Sequence, residues 1–448
     1  MKIKEKYQGT CIDLNHQGIG VVKIDGFPVF IENMLVDEVA DFRITKVEKS
    51  FAHGEVLKHL QYSEARVKPI CPAYDECGGC NIMHLDYAKQ LDYKFKMAYE
   101  TLRRIGHLEN VKINKIIGME DPYYYRNKVQ IPFGSEKGKT ICGFYKKKTH
   151  QIIDLAQCFI QPTPATEIAK YIRKVANELK IKGYNEKDGS GTLRHVLIRT
   201  NVDDEYMVVI VTKDKNFINK HEMVEKLTAE FPIVKSIIQN INKEPFNVIL
   251  GRKNIVLAGQ DQLVDVICGL KFNLSSNAFF QINHLQTEKL YQQVIEYAAV
   301  KPNEIVVDAY CGVGAIGMLL AKNAKKVYGI EIVPEAVENA IENAKLNNIK
   351  NIEFILGKAE EEISRFEQTI IDLIVMDPPR KGCETALLEA IKEKKIKRIV
   401  YVSCNVATLA RDLEILSSDY VIEEITLVDM FPHTSHVESV VLLSRIGK

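Results

Sequence analysis

Several places in the sequence gather side chains able to do chemistry. Cys71, Cys77 and Cys80 stand at C-x5-C-x2-C spacing in RVKPICPAYDECGGC, and Cys158 follows in DLAQCFIQP. Four thiolates hold zinc or an iron–sulfur cluster. The spacing departs from the paired C-x2-C of a zinc ribbon, and Gly78 and Gly79 leave room for a bulky group, so a [4Fe–4S] cluster is expected, with zinc as the alternative. Further on, EIVVDAYCGVGAIG places Gly312, Gly314 and Gly317 where a strand turns into a helix and backbone amides meet a ligand closely. That loop alone fits a plain turn, a dinucleotide or S-adenosylmethionine. Glu331 ends the next strand, KVYGIEI, where a carboxylate accepts from both ribose hydroxyls of either ligand.

Two later strand ends separate these options. IDLIVMDPPRKG carries Asp377 and a rigid Pro378-Pro379 floor, and RIVYVSCN carries Cys404, each at the carboxyl edge where open α/β sheets bind ligands. A nucleophilic cysteine beside a methyl-donor site answers one chemical need. Carbon 5 of uracil is a poor nucleophile until a thiolate adds at carbon 6, and the carbon-5 proton must later leave to a base. Cys404 is the expected thiolate, and Glu438 in HTSHVESVVLL the expected base.

The elements that must carry these residues follow from patterning. The first sixty residues alternate apolar and polar positions between glycines, as in GIGVVKIDGFPVFI, which predicts a small barrel. A helix follows in MHLDYAKQLDYKFKMAYETLRRIG, then mixed strands and helices between about 121 and 275. From 286 onward strands and helices alternate, predicting a doubly wound, mainly parallel sheet, and so an α/β protein.

Composition adds exclusions. With 46% hydrophobic and 27% charged residues, the chain is neither disordered nor fibrous, and no apolar run reaches the ~18 residues of a membrane span. Lys and Arg total 60 against 59 Asp and Glu, so any nucleic-acid contact must use local patches. The polar start MKIKEKYQGT and ten cysteines read as metal ligands, nucleophiles or packing residues fit a cytoplasmic, reducing setting. Cys11, Cys142, Cys268 and Cys383 are expected to be packing residues.

Taken in order, the barrel, the cysteine cluster, FFQIN, DAYCGVGAIG, GIEIV, DPPRKG, VSCN and HVESV resemble the RumA-type family of 23S rRNA (uracil-5-)-methyltransferases, relatives of the TrmA tRNA enzymes. The resemblance spans nearly the whole chain. It implies a TRAM-like or OB-like barrel over 1–62, a central iron–sulfur and RNA-binding domain over 63–89 and 120–278, and a Rossmann-like class I methyltransferase domain over 90–119 and 279–448. It implies Gln281, Tyr310, Glu331 and Asp377 as S-adenosylmethionine contacts, Cys404 as nucleophile and Glu438 as base. The expected partner is a looped or single-stranded uridine of 23S rRNA, bound by a monomer, with no DNA or membrane partner. The barrel and cluster favour the ribosomal branch, with a tRNA enzyme or a non-catalytic ribosome-assembly factor as alternatives. Tyr123, Tyr124, Tyr125 and Arg126 are candidates to stack or clamp RNA, and Lys146, Lys147 and Lys148 to meet phosphates.

A cytosine-5 enzyme typically has a second cysteine after its Asp-x-Pro motif, where Arg380 stands here. An adenine-N6 enzyme needs a stacking aromatic at that position and no nucleophile.

Overall fold

Short alternating strands joined by tight turns close the N-terminal barrel. The architecture comes from a computed structural model, which describes residues 1–154, 157–244, 248–366 and 370–447. Strands Gly20–Ile24 and Phe27–Ile31 are joined by Asp25-Gly26, both with positive φ (50° and 81°), the two-residue turn that matches hairpin twist. The barrel order is Lys6–Leu14, Gly20–Ile24, Phe27–Ile31, Ala52–Gln61, Val39–Val47, closing back on the first strand. Val22, Val29, Ile31 and Phe42 fill it.

The middle of the chain forms a seven-stranded sheet with Leu193–Thr200 and Lys128–Glu136 as neighbouring antiparallel strands near its centre. Helices Thr163–Glu178 and Lys220–Glu230 bury Ile168, Ile172, Met223 and Leu227 against Val196 and Ile210 of that sheet.

The C-terminal half builds an eight-stranded sheet in the order Ile352–Leu356, Lys326–Glu331, Ile305–Ala309, Leu373–Met376, Arg398–Ser403, Glu438–Arg445, Tyr420–Val428, Lys115–Ile117. The first five strands are parallel, and Glu438–Arg445 runs antiparallel to both neighbours. Strand order therefore reverses beside Ile305–Ala309, the place where such sheets open a crevice for ligands. The sheet has an apolar core on each face.

One strand of this sheet comes from far upstream. Lys115–Ile117 pairs in parallel with Tyr420–Val428, a join that patterning did not foresee because three residues carry no period. It follows helix Tyr87–Ile105, which Asp86 caps by accepting the amide of Ala88 at 3.0 Å. The helix buries Ala98 and Leu102 in the catalytic core. Lys94 Nζ meets Asp429 Oδ1 at 2.5 Å with both side chains fully buried, and the Tyr87 hydroxyl donates to Asp429 Oδ2 at 2.8 Å. No helix among the described residues is long and apolar enough to cross a membrane.

Candidate active site

The parallel register brings the predicted site residues to one edge of the sheet. Ala309 lies level with Ile330 on one side and Met376 on the other, so the next residues, Tyr310, Glu331 and Asp377, end three adjacent strands side by side. Ser403 pairs with Ser439, so Cys404 and Glu438 come next along the same edge. All five, with Gln281, line one cavity of about 1590 Å³. That volume exceeds the several-hundred-Å³ range of ordinary small-molecule pockets and leaves room for a donor and a base together.

The glycine turn is built as its spacing suggests. Gly314 has φ +82°, and a Cβ there would stand 2.7 Å from the Phe354 ring. Gly317 donates its amide to Asp308 Oδ2 at 2.7 Å, and a Cβ at Gly317 would stand 2.8 Å from that oxygen. Tyr310 enters the turn with φ 63°, strained for a residue with a side chain and compatible with a backbone held for a ligand.

Glu331 is more occupied than its expected ribose role assumes. Its Oε2 accepts from the Gly312 amide at 3.0 Å, and its Oε1 from Ile332 and Val333 at 2.8 and 2.9 Å. A carboxylate has about four acceptor positions, so a two-hydroxyl grip requires one of these amides to yield.

At the reactive end, Asp377, Cys404 and Glu438 face the cavity together. Burial, then the neighbouring Asp377, push the Glu438 carboxyl up to about 8, against a partial pull from Arg380. Burial alone lifts Asp377 to about 7. Burial and both carboxylates raise the Cys404 thiol to about 11, with Arg380 opposing. The site therefore holds a carboxyl tuned as a base stronger than ordinary glutamate, beside a thiol that needs a proton acceptor. Asn405 donates to the Arg380 carbonyl at 3.0 Å and caps helix Val406–Leu416 through Ala407, which joins the Asp-Pro-Pro loop to the cysteine loop.

Several cavity residues escaped the sequence reading. Asp308 is buried, with Oδ1 lacking a hydrogen-bond partner, and burial first of all lifts its carboxyl to about 8. Cys311 lies inside the glycine motif and was overlooked among the cysteines. Arg380 was weighed only for what it is not. Phe279 is 70% exposed at the mouth, and His436 stands edge-on to Phe431 at 6.1 Å between ring centroids. Phe279 and His436 sit inside the FFQIN and HTSHVESV motifs, so proximity to a named residue was their available signal.

The four clustered cysteines line a second cavity of about 330 Å³. All ten cysteines are free, and among the described residues no three His, Cys, Asp or Glu side chains are arranged to hold a single metal ion. The cavity has no carboxylate in its wall, and Arg126 and Lys128 enter it as cations, Arg126 with Nε unpartnered. Four thiols facing two cations form a donor set that suits an anionic thiolate-bound group.

The softer RNA candidates fare differently. Tyr125 is buried and donates to the Pro432 carbonyl at 3.1 Å, Tyr123 stacks on His433 at 4.7 Å, and Arg126 lines the cysteine cavity, leaving Tyr124 as the exposed member. Lys146 and Lys148 pair with Glu76 and Glu32 at 3.3 and 2.7 Å, and Lys147 lies over the Tyr74 ring.

The reversed strand order, glycine turn and acidic strand ends, with one antiparallel strand beside five parallel ones, fit a class I S-adenosylmethionine-dependent methyltransferase. Comparison with known proteins narrows this. Residues 248–446 match the tRNA (Uracil-5-)-methyltransferase family and residues 12–57 the TRAM domain. A protein of Clostridium acetobutylicum described as an uncharacterized RNA methyltransferase is 48% identical, covering 100% of this chain and 99% of its own. One from Staphylococcus aureus with the same description is 45% identical over 97% of each. The crystal structure of Pyrococcus abyssi tRNA (uracil-54, C5)-methyltransferase with S-adenosyl-L-homocysteine is similar over 97% of this chain and 99% of that one, with TM-score 0.79 and 28% identity. The chain belongs to the RumA/TrmA-type family of S-adenosylmethionine-dependent RNA (uracil-5-)-methyltransferases.

Proposed function

We propose that the protein methylates carbon 5 of a uridine in 23S rRNA through a covalent adduct on Cys404. The observation that carries the uridine-5 chemistry is the placement of Cys404 opposite Glu438 in the cavity that the glycine turn also lines; the choice of 23S rRNA rests on the resemblance to the RumA-type branch. Cys404 Sγ bonds to carbon 6 of the flipped base, giving carbon 5 the electron density to take the sulfonium methyl. Glu438 then removes the carbon-5 proton, and the Cys404–carbon 6 bond breaks to restore the double bond. Tyr310, Glu331, Asp377 and Gln281 are the donor contacts in this reading, with Asp377 between donor and base.

Cys71, Cys77, Cys80 and Cys158 hold a [4Fe–4S] cluster in the same proposal. The four thiols line one cavity, and their C-x5-C-x2-C spacing with Gly78 and Gly79 departs from the paired C-x2-C of a zinc ribbon. When bound, the cluster cross-links the loop carrying Cys71 to Cys80 to the middle domain at Cys158. Its role is structural, with Arg126 and Lys128 balancing its charge. The proposed division is a barrel over 1–62, a cluster-bearing middle domain over 63–89 and 120–278, and a catalytic domain over 90–119 and 279–448, in a cytoplasmic monomer.

A tRNA substrate is the second reading, because the Pyrococcus tRNA enzyme aligns along nearly all of this chain, barrel region included. Whole-chain architecture thus does not separate the two RNAs. The test is labelled methyl transfer to unmodified 23S rRNA and unmodified tRNA in parallel, followed by nucleoside analysis. 5-Methyluridine in rRNA alone supports the first reading, product in tRNA alone the second, and none in either the assembly-factor alternative.

A further inference from the structure

The segment from Ala278 to Asn283 runs between two cavities, with Gln281 in the wall of the large one and Ile282 in the wall of the cysteine cavity. Among the described residues its backbone pairs only through the isolated bridge of Asn283 to Arg126 before the helix begins. The middle domain holds it. The Asn127 amide donates to the Ile282 carbonyl at 2.8 Å, Asn127 Nδ2 to the Gln281 carbonyl at 2.9 Å, and Arg199 Nη2 to the Ala278 carbonyl at 2.7 Å.

Both donors lie at the same end of one antiparallel strand pair. Arg199 is level with Lys128, and the Thr200 amide donates to the Asn127 carbonyl at 2.8 Å. Arg199 is 2% exposed and its Nε has no partner. Burying a guanidinium on so few bonds is costly where an apolar side chain would pack. Among the described residues its side chain donates only to the segment that carries Phe279 and Gln281 into the site.

We infer that Asn127 and Arg199 are positioning residues, through which the middle domain sets the Phe279–Gln281 segment against the donor cavity. The inference rests on the reading that Gln281 meets the methyl donor. RNA engaged by the middle domain is thereby linked to donor binding through two strand ends.

The test is a double-mutant cycle on the full chain: Asn127→Ala, Gln281→Ala and both together, with calorimetric binding of S-adenosylhomocysteine as readout. Asn127→Ala is expected to weaken binding about fivefold, the worth of one neutral hydrogen bond. In the Gln281→Ala background the same change should add nothing. The KM for S-adenosylmethionine should rise with kcat at saturating donor retained. Arg199→Met should weaken binding in the same direction, and because Arg199 is buried, Asn127 decides should that variant misfold. Unchanged binding in Asn127→Ala, or a full additive loss in the double variant, overturns the inference. Unchanged binding in Gln281→Ala alone overturns instead the donor role of Gln281 on which it rests.

Discussion

Cys404 and Glu438 face each other across the antiparallel strand pair: the register that pairs Ser403 with Ser439, carried one residue further, sets the thiol opposite the carboxyl. In the proposed mechanism nucleophile and base thus reach the target from adjacent strand ends, 34 residues apart in sequence and fixed by one ladder. Neither depends on a long loop for its placement.

The raised carboxyl gives the reaction a direction in pH. Glu438 must be ionised to take the carbon-5 proton, and its pKa of about 8 means the ionised fraction grows about tenfold per pH unit below that value. The single-turnover rate should climb through neutrality and flatten above about 8, provided Glu438 limits it; stopped-time methyl transfer across pH checks this. Stability should run the other way. The native carboxyl holds its proton more tightly than the ordinary 4.5, so burial of Glu438 lowers stability progressively between 4.5 and about 8. Glu438→Gln should therefore raise the melting temperature more at pH 8 than at pH 4.5.

Glu331 ties the Gly312 amide of the glycine turn to the Ile332 and Val333 amides of its own loop. Glu331→Gln replaces one acceptor oxygen by a donor facing one of those amides. We expect donor KM to rise about tenfold or more, from at least one lost charged hydrogen bond, with RNA KM retained. Steady-state kinetics varying each substrate separately measures the split.

Anaerobically purified or reconstituted protein should contain about four irons and four sulfides per chain, with a broad visible absorption. Cys80→Ser should lose both and melt lower. Stoichiometric zinc and no iron would move the cysteines to the alternative metal.

The buried Lys94–Asp429 pair fastens the upstream helix to the catalytic core. Asp429→Ala leaves the ammonium without its carboxylate and should cost about 3–5 kcal/mol in denaturant unfolding. Replacing both residues by apolar ones of similar size should recover much of this loss.

Asp377 and Cys404 are candidates in the sequence because each directly follows a buried strand, IDLIVM and RIVYVS, and Glu438 because it opens the strand that pairs with the second. The glycine turn was equally plain, since steric demands there admit no side chain. What sequence could not show depends on contacts between distant segments. The Lys115–Ile117 strand has no pattern of its own, and the Gly312 amide that Glu331 holds comes from a turn 19 residues upstream. The lysine run 146–148 read as a phosphate patch because the carboxylates that pair it, Glu32 and Glu76, lie far off in sequence.

The most direct test of the central claim is to incubate Glu438→Gln with substrate RNA and S-adenosylmethionine and search for a protein–RNA conjugate. Without the base the methylated adduct should accumulate, and digestion with mass spectrometry should find 5-methyluridine attached to the peptide carrying Cys404. Cys404→Ala should form no conjugate and no product. Turnover by Cys404→Ala, or a conjugate at another residue, would contradict the account.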